Sequence, residues 1–174
     1  YHRNLQTLAR NWAIPGTPGL EHRLGGLEKD SVTGEINYEP ENHERMVLLR
    51  DEKIKRIKND LPPLEIIGPE KNELLVVTWG SVYGPAFSAI KELQEHAHPV
   101  SMVHLRHLNP FQNNLEGILR NFEKVLVPEM NLGQLSRLLR AEFLVETIPF
   151  AKVQGRPFLI SEIRSRIIEL LVEK

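Results

Sequence analysis

From residue 72 onward, continuous apolar runs alternate with amphipathic segments, and this alternation constrains the fold more than any other feature of the chain. "LLVVTWG" (74–80) is apolar without a break and leaves through a glycine, as a parallel strand covered on both faces must. "SVYGPAFSAIKELQEHA" (81–97) follows with helical periodicity: Ser81 stands where an N-cap belongs, and Ala86, Ile90, Leu93 and Ala97 form the inner stripe. The pattern repeats. "VSMVHLRHLNP" (100–110) predicts a second strand, "NLEGILRNF" (114–122) a short helix, "KVLVPEMN" (124–131) a third strand and "LGQLSRLLRAEFL" (132–144) another helix. "FAKVQG" (150–155) predicts a fourth strand. "SEIRSRIIELLVEK" (161–174) closes as a helix with Ser161 at its cap and Ile163, Ile167, Ile168, Leu170 and Leu171 facing inward. Such units, joined by right-handed crossovers, specify an α/β fold: an open, mostly parallel sheet with helices on both faces.

Residues 1–71 are different. Pro15, Gly16, Pro18, Gly19, Gly25, Gly26, Gly34 and Pro40 fall too densely for long elements, so this part reads as an irregular arm. One helix interrupts it, over about 41–59. Met46, Val47, Leu49, Ile54 and Ile57 recur there at roughly helical spacing, opposite a charged face, until Pro62-Pro63 stops the ladder. The expected organisation is therefore an arm over 1–71 and an α/β domain over 72–174.

Charge narrows the function. With 22 Lys and Arg against 23 Asp and Glu, the formal charge is -1, which gives no electrostatic case for nucleic acid or an anionic membrane. No apolar run approaches the roughly 20 residues that cross a bilayer. The absence of cysteine excludes disulfides, a cysteine nucleophile and thiolate-held zinc or iron–sulfur clusters within this sequence. A soluble, cytoplasmic protein is expected. The first residue is Tyr1, in the middle of a polar run, and we read the sequence as a piece of a longer polypeptide.

In open parallel sheets, ligands gather beyond the C-terminal ends of the strands. The groups expected there are Gly80, Ser81, Tyr83 and Gly84, then His107, Leu108, Asn109 and Pro110, then Glu129, Met130, Asn131 and Gly133. "GSVYG" could offer N–H groups to an anion or be a capped turn; it is neither a dinucleotide fingerprint nor a P-loop. Strand alternation puts His104 and Arg106 on one side and Leu105 and His107 on the other, so no histidine pair forms for a metal. His104 is expected to be buried and satisfied by backbone. Arg106 either anchors an anion or pairs with Glu129 on a neighbouring strand. Glu129 has no second carboxylate or nucleophile fixed beside it by spacing, so no residue is assigned as catalytic. In the arm, "ARNWAIPGTPGLEHRLGG" (9–26) collects Arg10, Trp12, Thr17, Glu21, His22 and Arg23 on a glycine-rich loop, either a binding loop or a strap over a neighbouring domain.

Five stretches together resemble the C-terminal part of the alpha subunit of 2-oxoglutarate:ferredoxin oxidoreductases: "WAIPGTPGLEHRLGGLEK" (12–29), "PENHERMVLLRDEK" (40–53), "LLVVTWGSVYG" (74–84), "LRHLNPF" (105–111) and "VLVPEMNLGQLSRLLRAEFLVE" (125–146). The resemblance implies a transketolase C-terminal-like α/β domain. It implies a whole enzyme that uses thiamine diphosphate, Mg and iron–sulfur clusters to decarboxylate a 2-oxoacid oxidatively to acyl-CoA, with a beta subunit, ferredoxin, CoA and the 2-oxoacid as partners. None of these cofactors is expected to bind to this segment, which lacks a glycine–aspartate diphosphate motif. The segment is expected to be inactive by itself, to shape the active-site rim and to make assembly contacts, including contacts between copies. Arg10 and Thr17 are the expected substrate contacts, Arg10 as a fork for a remote carboxylate. His22, Ser81, Arg106, His107, Glu129 and Asn131 are candidates for the rim or an interface. A pyruvate or branched-chain 2-oxoacid oxidoreductase tail, or an independent CoA- or anion-binding module, is the alternative.

Overall fold

The computed structural model describes residues 1–173, which divide into two compact units, Tyr1–Leu61 and the remainder from Pro62.

The first unit is built from turns around one helix. Helix α1 (Pro40–Arg56) starts on a proline, carries Glu41 in its first turn and Lys53, Lys55 and Arg56 in its last, and runs on into a 3-10 turn, Ile57–Asn59. Glu28 ties the preceding loop to it, accepting a forked pair of hydrogen bonds from Arg50 (3.0 and 3.3 Å) and bonding the His43 ring (2.9 Å). These partners, Arg50 first, hold the Glu28 carboxyl down at about 2. Asn42 adds a bond from Nδ2 to the Lys29 carbonyl. The apolar residues that recur along α1 are only partly covered. Met46 is buried, but Val47, Ile54 and Ile57 are exposed, because the turns reach only the Asn42–Met46 side.

The second unit is a five-stranded sheet in the order β1-β3-β2-β4-β5. Strands β2 (Asn72–Trp79), β3 (Val100–Leu105), β4 (Phe122–Glu129) and β5 (Ile148–Ala151) run parallel, and β1 (Ile66–Ile67) pairs antiparallel with β3. Helices α2 (Tyr83–Glu95) and α5 (Ile160–Val172) cover one face; α3 (Leu115–Arg120) and α4 (Gln134–Phe143) cover the other. Strand alternation divides the core accordingly. Leu74 and Val76 of β2 pack with Ile90, Ile163 and Ile167, whereas Leu75 and Val77 pack with Leu115, Leu135 and Leu139. The expected open, mostly parallel α/β sheet is thus the one observed.

Several boundaries differ for physical reasons. Strand β3 stops at Leu105, the register partner of Trp79 where β2 also ends, so Arg106–Pro110 has no strand beside it. Ser81 is not an N-cap. A left-handed Gly80 (φ 60°) turns the chain into a 3-10 segment, Gly80–Val82, before α2, and no side chain caps that helix. Ala97 lies beyond α2 and is exposed. Strand β5 begins earlier than expected and leaves the sheet at Lys152, whose ammonium reaches Glu162 (2.6 Å) and the Pro157 carbonyl (3.0 Å). Ser161 sits inside α5, and Glu162 serves its N-terminus instead, accepting from the Leu159 N–H at 2.7 Å. Strand β1 has no counterpart in the sequence reading.

Candidate functional site

The run "VLVPEMN" brings Glu129 to the C-terminal end of β4 with 0% of its surface exposed. One carboxyl oxygen accepts the Leu135 N–H at 2.7 Å and the other the Ser136 N–H at 2.9 Å. Asn131 Oδ1 accepts from Gly133 (2.8 Å) and Gln134 (2.9 Å), and Gly133 adopts the positive φ of 84° that the tight entry requires. Four consecutive N–H groups at the start of α4, which no carbonyl of that helix can reach, are therefore satisfied by two side chains. Behind them, Ser136 Oγ and Thr147 Oγ1 share a buried bond of 2.7 Å. An ion pair between Arg106 and Glu129 does not form: Glu129 is enclosed by the α4 entry, while Arg106 is exposed beyond β3.

The sheet order changes direction beside β2, whose neighbours are β3 on one side and β4 on the other, the position where such folds open a crevice. Ser81 Oγ lies 3.7 Å from Met130 Sδ across it, a weak sulfur contact and not a cap. On the β3 side, His104 is half-buried, shares a 2.9 Å bond from Nδ1 with Thr78 Oγ1, and packs edge-on against Tyr83 at 4.8 Å between ring centres. The expected backbone partner for His104 is thus replaced by a threonine hydroxyl. His107 is exposed after the strand.

Burial first, and the Arg106 charge second, lower the His104 pKa. A base whose folded pKa lies below its unfolded value of about 6.5 makes the unfolded state the better proton binder. Its stabilising contribution is therefore complete above about pH 6.5 and is lost as the pH falls through the folded value. Denaturation midpoints at pH 7.5 and 5.5 should differ more for the parent chain than for His104→Gln. Equal pH differences in the two proteins would contradict this account.

In the first unit, the glycine-rich loop surrounds a cavity of about 840 Å³ lined by Tyr1, Arg10, Asn11, Trp12, His22 and Arg23, among others. The Arg10 guanidinium lies 4.6 Å over the Tyr1 ring, and its Nε and Nη2 atoms are buried with no hydrogen-bond partner among the described residues. A short antiparallel bridge joins Arg3 to Arg10, and Arg3 Nη1 donates to the Leu8 carbonyl at 2.7 Å. Burial and the neighbouring Arg10 charge both lower the Arg3 pKa. Two guanidinium groups thus share one locality, an arrangement that suits an anion. His22 lines the cavity, with Nδ1 2.8 Å from the Leu20 carbonyl oxygen, whereas Thr17 is half-buried in the adjoining turn and is not among the lining residues. Tyr1 and Arg3 escaped sequence reasoning. The only signal for them was an aromatic and a cation seven to nine positions before Arg10.

Among the described residues, no three His, Asp or Glu side chains stand together as a metal site, and the sequence has no cysteine. These residues do not fit a magnesium or iron–sulfur group.

Residues 72–163 match the family described as pyruvate:ferredoxin oxidoreductase core domain II. Over 164 residues, 94% of this chain, the sequence is 49% identical to the 2-oxoglutarate oxidoreductase subunit KorA of Mycobacterium tuberculosis, covering 25% of that protein. It is 31% identical over 154 residues, 85% of the chain, to the alpha subunit of 2-oxoacid:ferredoxin oxidoreductase 2 of Aeropyrum pernix, covering 24% of it. The chain spans about a quarter of the length of these relatives. A solved 2-oxoglutarate:ferredoxin oxidoreductase from Magnetococcus marinus, with 2-oxoglutarate, coenzyme A and succinyl-CoA bound, superposes with a TM-score of 0.90 and 32% identity over 98% of this chain and 30% of its own. The chain belongs to the pyruvate:ferredoxin oxidoreductase core domain II family and corresponds to a segment of a 2-oxoacid:ferredoxin oxidoreductase alpha subunit.

Proposed function

We propose that the whole protein converts 2-oxoglutarate and CoA to succinyl-CoA and carbon dioxide in the cytoplasm. The two electrons released would pass through iron–sulfur clusters to ferredoxin. The Magnetococcus marinus structure, with 2-oxoglutarate and succinyl-CoA bound, and the 49% identity to KorA support this substrate. Thiamine diphosphate, held with Mg by other parts of such an enzyme, would supply the electron sink for decarboxylation. This segment contributes recognition and assembly, not that chemistry. Its arm, residues 1–71, offers the substrate rim. The α/β domain, residues 72–174, and the exposed apolar side chains Trp12, Leu132 and Leu144 offer surfaces to the beta subunit and to a second copy.

The observation that carries the assignment is the buried, unpartnered edge of Arg10. A 2-oxo dicarboxylate differs from pyruvate by a remote carboxylate, and a guanidinium edge with two free N–H groups is the complement of that group. Stacking on Tyr1 holds the plane of the fork, and Arg3 keeps the locality cationic. Thr17 and His22 would complete the rim from the same loop.

In the complete enzyme, Arg10→Ala should raise KM for 2-oxoglutarate by about 10–100-fold, the loss of one charge-assisted pair, and leave KM for pyruvate within about 2-fold. Arg10→Lys should recover only part of the loss, because an ammonium cannot fork. Steady-state assays with both 2-oxoacids provide the measurement. An equal change for the two substrates would overturn the assignment.

A further inference from the structure

A second cavity, of about 620 Å³, opens at the C-terminal ends of β2 and β3, wholly within the second unit. Gly80 and Tyr83 contribute from the entry to α2, and His104, Arg106, His107 and Gln112 from β3 and the loop that follows it. None of these side chains is used by the proposed reaction.

Three observations bear on what the cavity holds. Arg106 forms no ion pair among the described residues, so its charge meets no carboxylate partner. Glu65, the acidic residue of the lining, is exposed. Gln112 is 6% exposed, and its Oε1 has no hydrogen-bond partner among the described residues. A buried amide oxygen without a donor is uncommon in folded proteins and calls for one. The wall between these groups is fixed, since His104 is bonded to Thr78 and braced by Tyr83, which leaves Nε2 as its remaining polar atom.

We propose that this cavity binds a phosphate monoester bearing hydroxyl groups. Arg106 and His107 take the oxyanion, and Gln112 Oε1 accepts from a hydroxyl of the same molecule. The chemistry follows from the pairing of an unpartnered cation with an unpartnered acceptor. A bare dianion satisfies the first and not the second, and a neutral polyol the reverse. The volume exceeds what an inorganic anion needs and falls within the range of small-molecule sites, about 300–1,000 Å³. Binding here belongs to the second unit and does not depend on the reading of Arg10.

The test follows histidine ring signals by NMR in the labelled chain, titrated at constant ionic strength with sulfate, inorganic phosphate and glycerol 3-phosphate. The His104 and His107 signals should move saturably, with glycerol 3-phosphate at least about 5-fold tighter than sulfate, which has no donor for Gln112. His96, on the far end of α2, should not respond. Arg106→Ala, at an exposed position, should weaken all three probes by about 10-fold or more. Gln112→Met should leave sulfate unchanged and abolish the advantage of glycerol 3-phosphate. Absence of saturation, equal affinity for sulfate and glycerol 3-phosphate, or full binding in Arg106→Ala would each overturn the proposal.

Discussion

Replacing Glu129 with alanine should destabilise the chain by about 3–5 kcal/mol, the largest effect expected from any single polar substitution in the second unit. The magnitude follows from what is left behind. The two oxygens of Glu129 are the acceptors for the Leu135 and Ser136 N–H groups, and all three residues are buried. Alanine provides no acceptor, and water cannot reach the site without opening the α4 entry. Each orphaned donor then costs about 1–3 kcal/mol, and a small cavity adds to this. Glu129→Gln keeps one acceptor and turns an amide NH₂ toward the second N–H, so about half of the loss should remain. Asn131→Ala is the control: it removes the other cap from a half-buried position and should cost about 1 kcal/mol. Urea denaturation of the three variants decides the matter. If Glu129→Ala cost no more than Asn131→Ala, the buried carboxyl would not be holding the helix start.

That carboxyl also shows how far the sequence could be read. The triplet Glu129-Met130-Asn131 at the end of an apolar run was visible as something placed at a strand end. Its meaning depended on burial, which periodicity does not report; an exposed glutamate there would have been a candidate acid or base. Strands β2 and β4 are legible because burial on both faces makes their centres, Leu74–Val77 and Val125–Val127, unbroken apolar runs. The stripe of α1 was legible as a helix but misleading as a core, since helical spacing says nothing about whether a partner covers it. Ser81 failed for a local reason: the left-handed Gly80 turn interposes a 3-10 segment between strand and helix. The sequence offers Arg10 as one of several polar residues on the loop, and its role as a substrate contact comes from the resemblance. The features that distinguish it, Tyr1 beneath its guanidinium and Arg3 bridged to its backbone, arise from a fold-back of irregular chain that no repeat announces.

Strand β1 is the element with no sequence signature, and Gly68→Ala is expected to detach it at a cost of about 2–4 kcal/mol. Two isoleucines cannot make a strand by propensity; a bracket of side chains holds them. Gln94 Nε2 donates to the Ile67 carbonyl (3.1 Å) and the Val100 carbonyl (3.0 Å), and Ser101 Oγ donates to the Pro69 carbonyl (2.8 Å). Gly68 passes between these groups with φ of 116°. A Cβ there would collide with Gln94 Nε2 and stand 2.9 Å from Ser101 Oγ, so alanine displaces both donors while straining the backbone. Gly80→Ala separates the two contributions. Gly80 also has a positive φ, 60°, but no atom of the described residues lies within 4 Å of its Cβ position, so backbone strain of about 1–2 kcal/mol is all it should cost. Hydrogen exchange supplies the local readout. In Gly68→Ala, the amides that β3 shares with β1 should lose protection while those it shares with β2 keep theirs. Equal destabilisation by Gly68→Ala and Gly80→Ala, with β1 still protected, would show that the strand is held by its own pairing and not by the Gln94–Ser101 bracket.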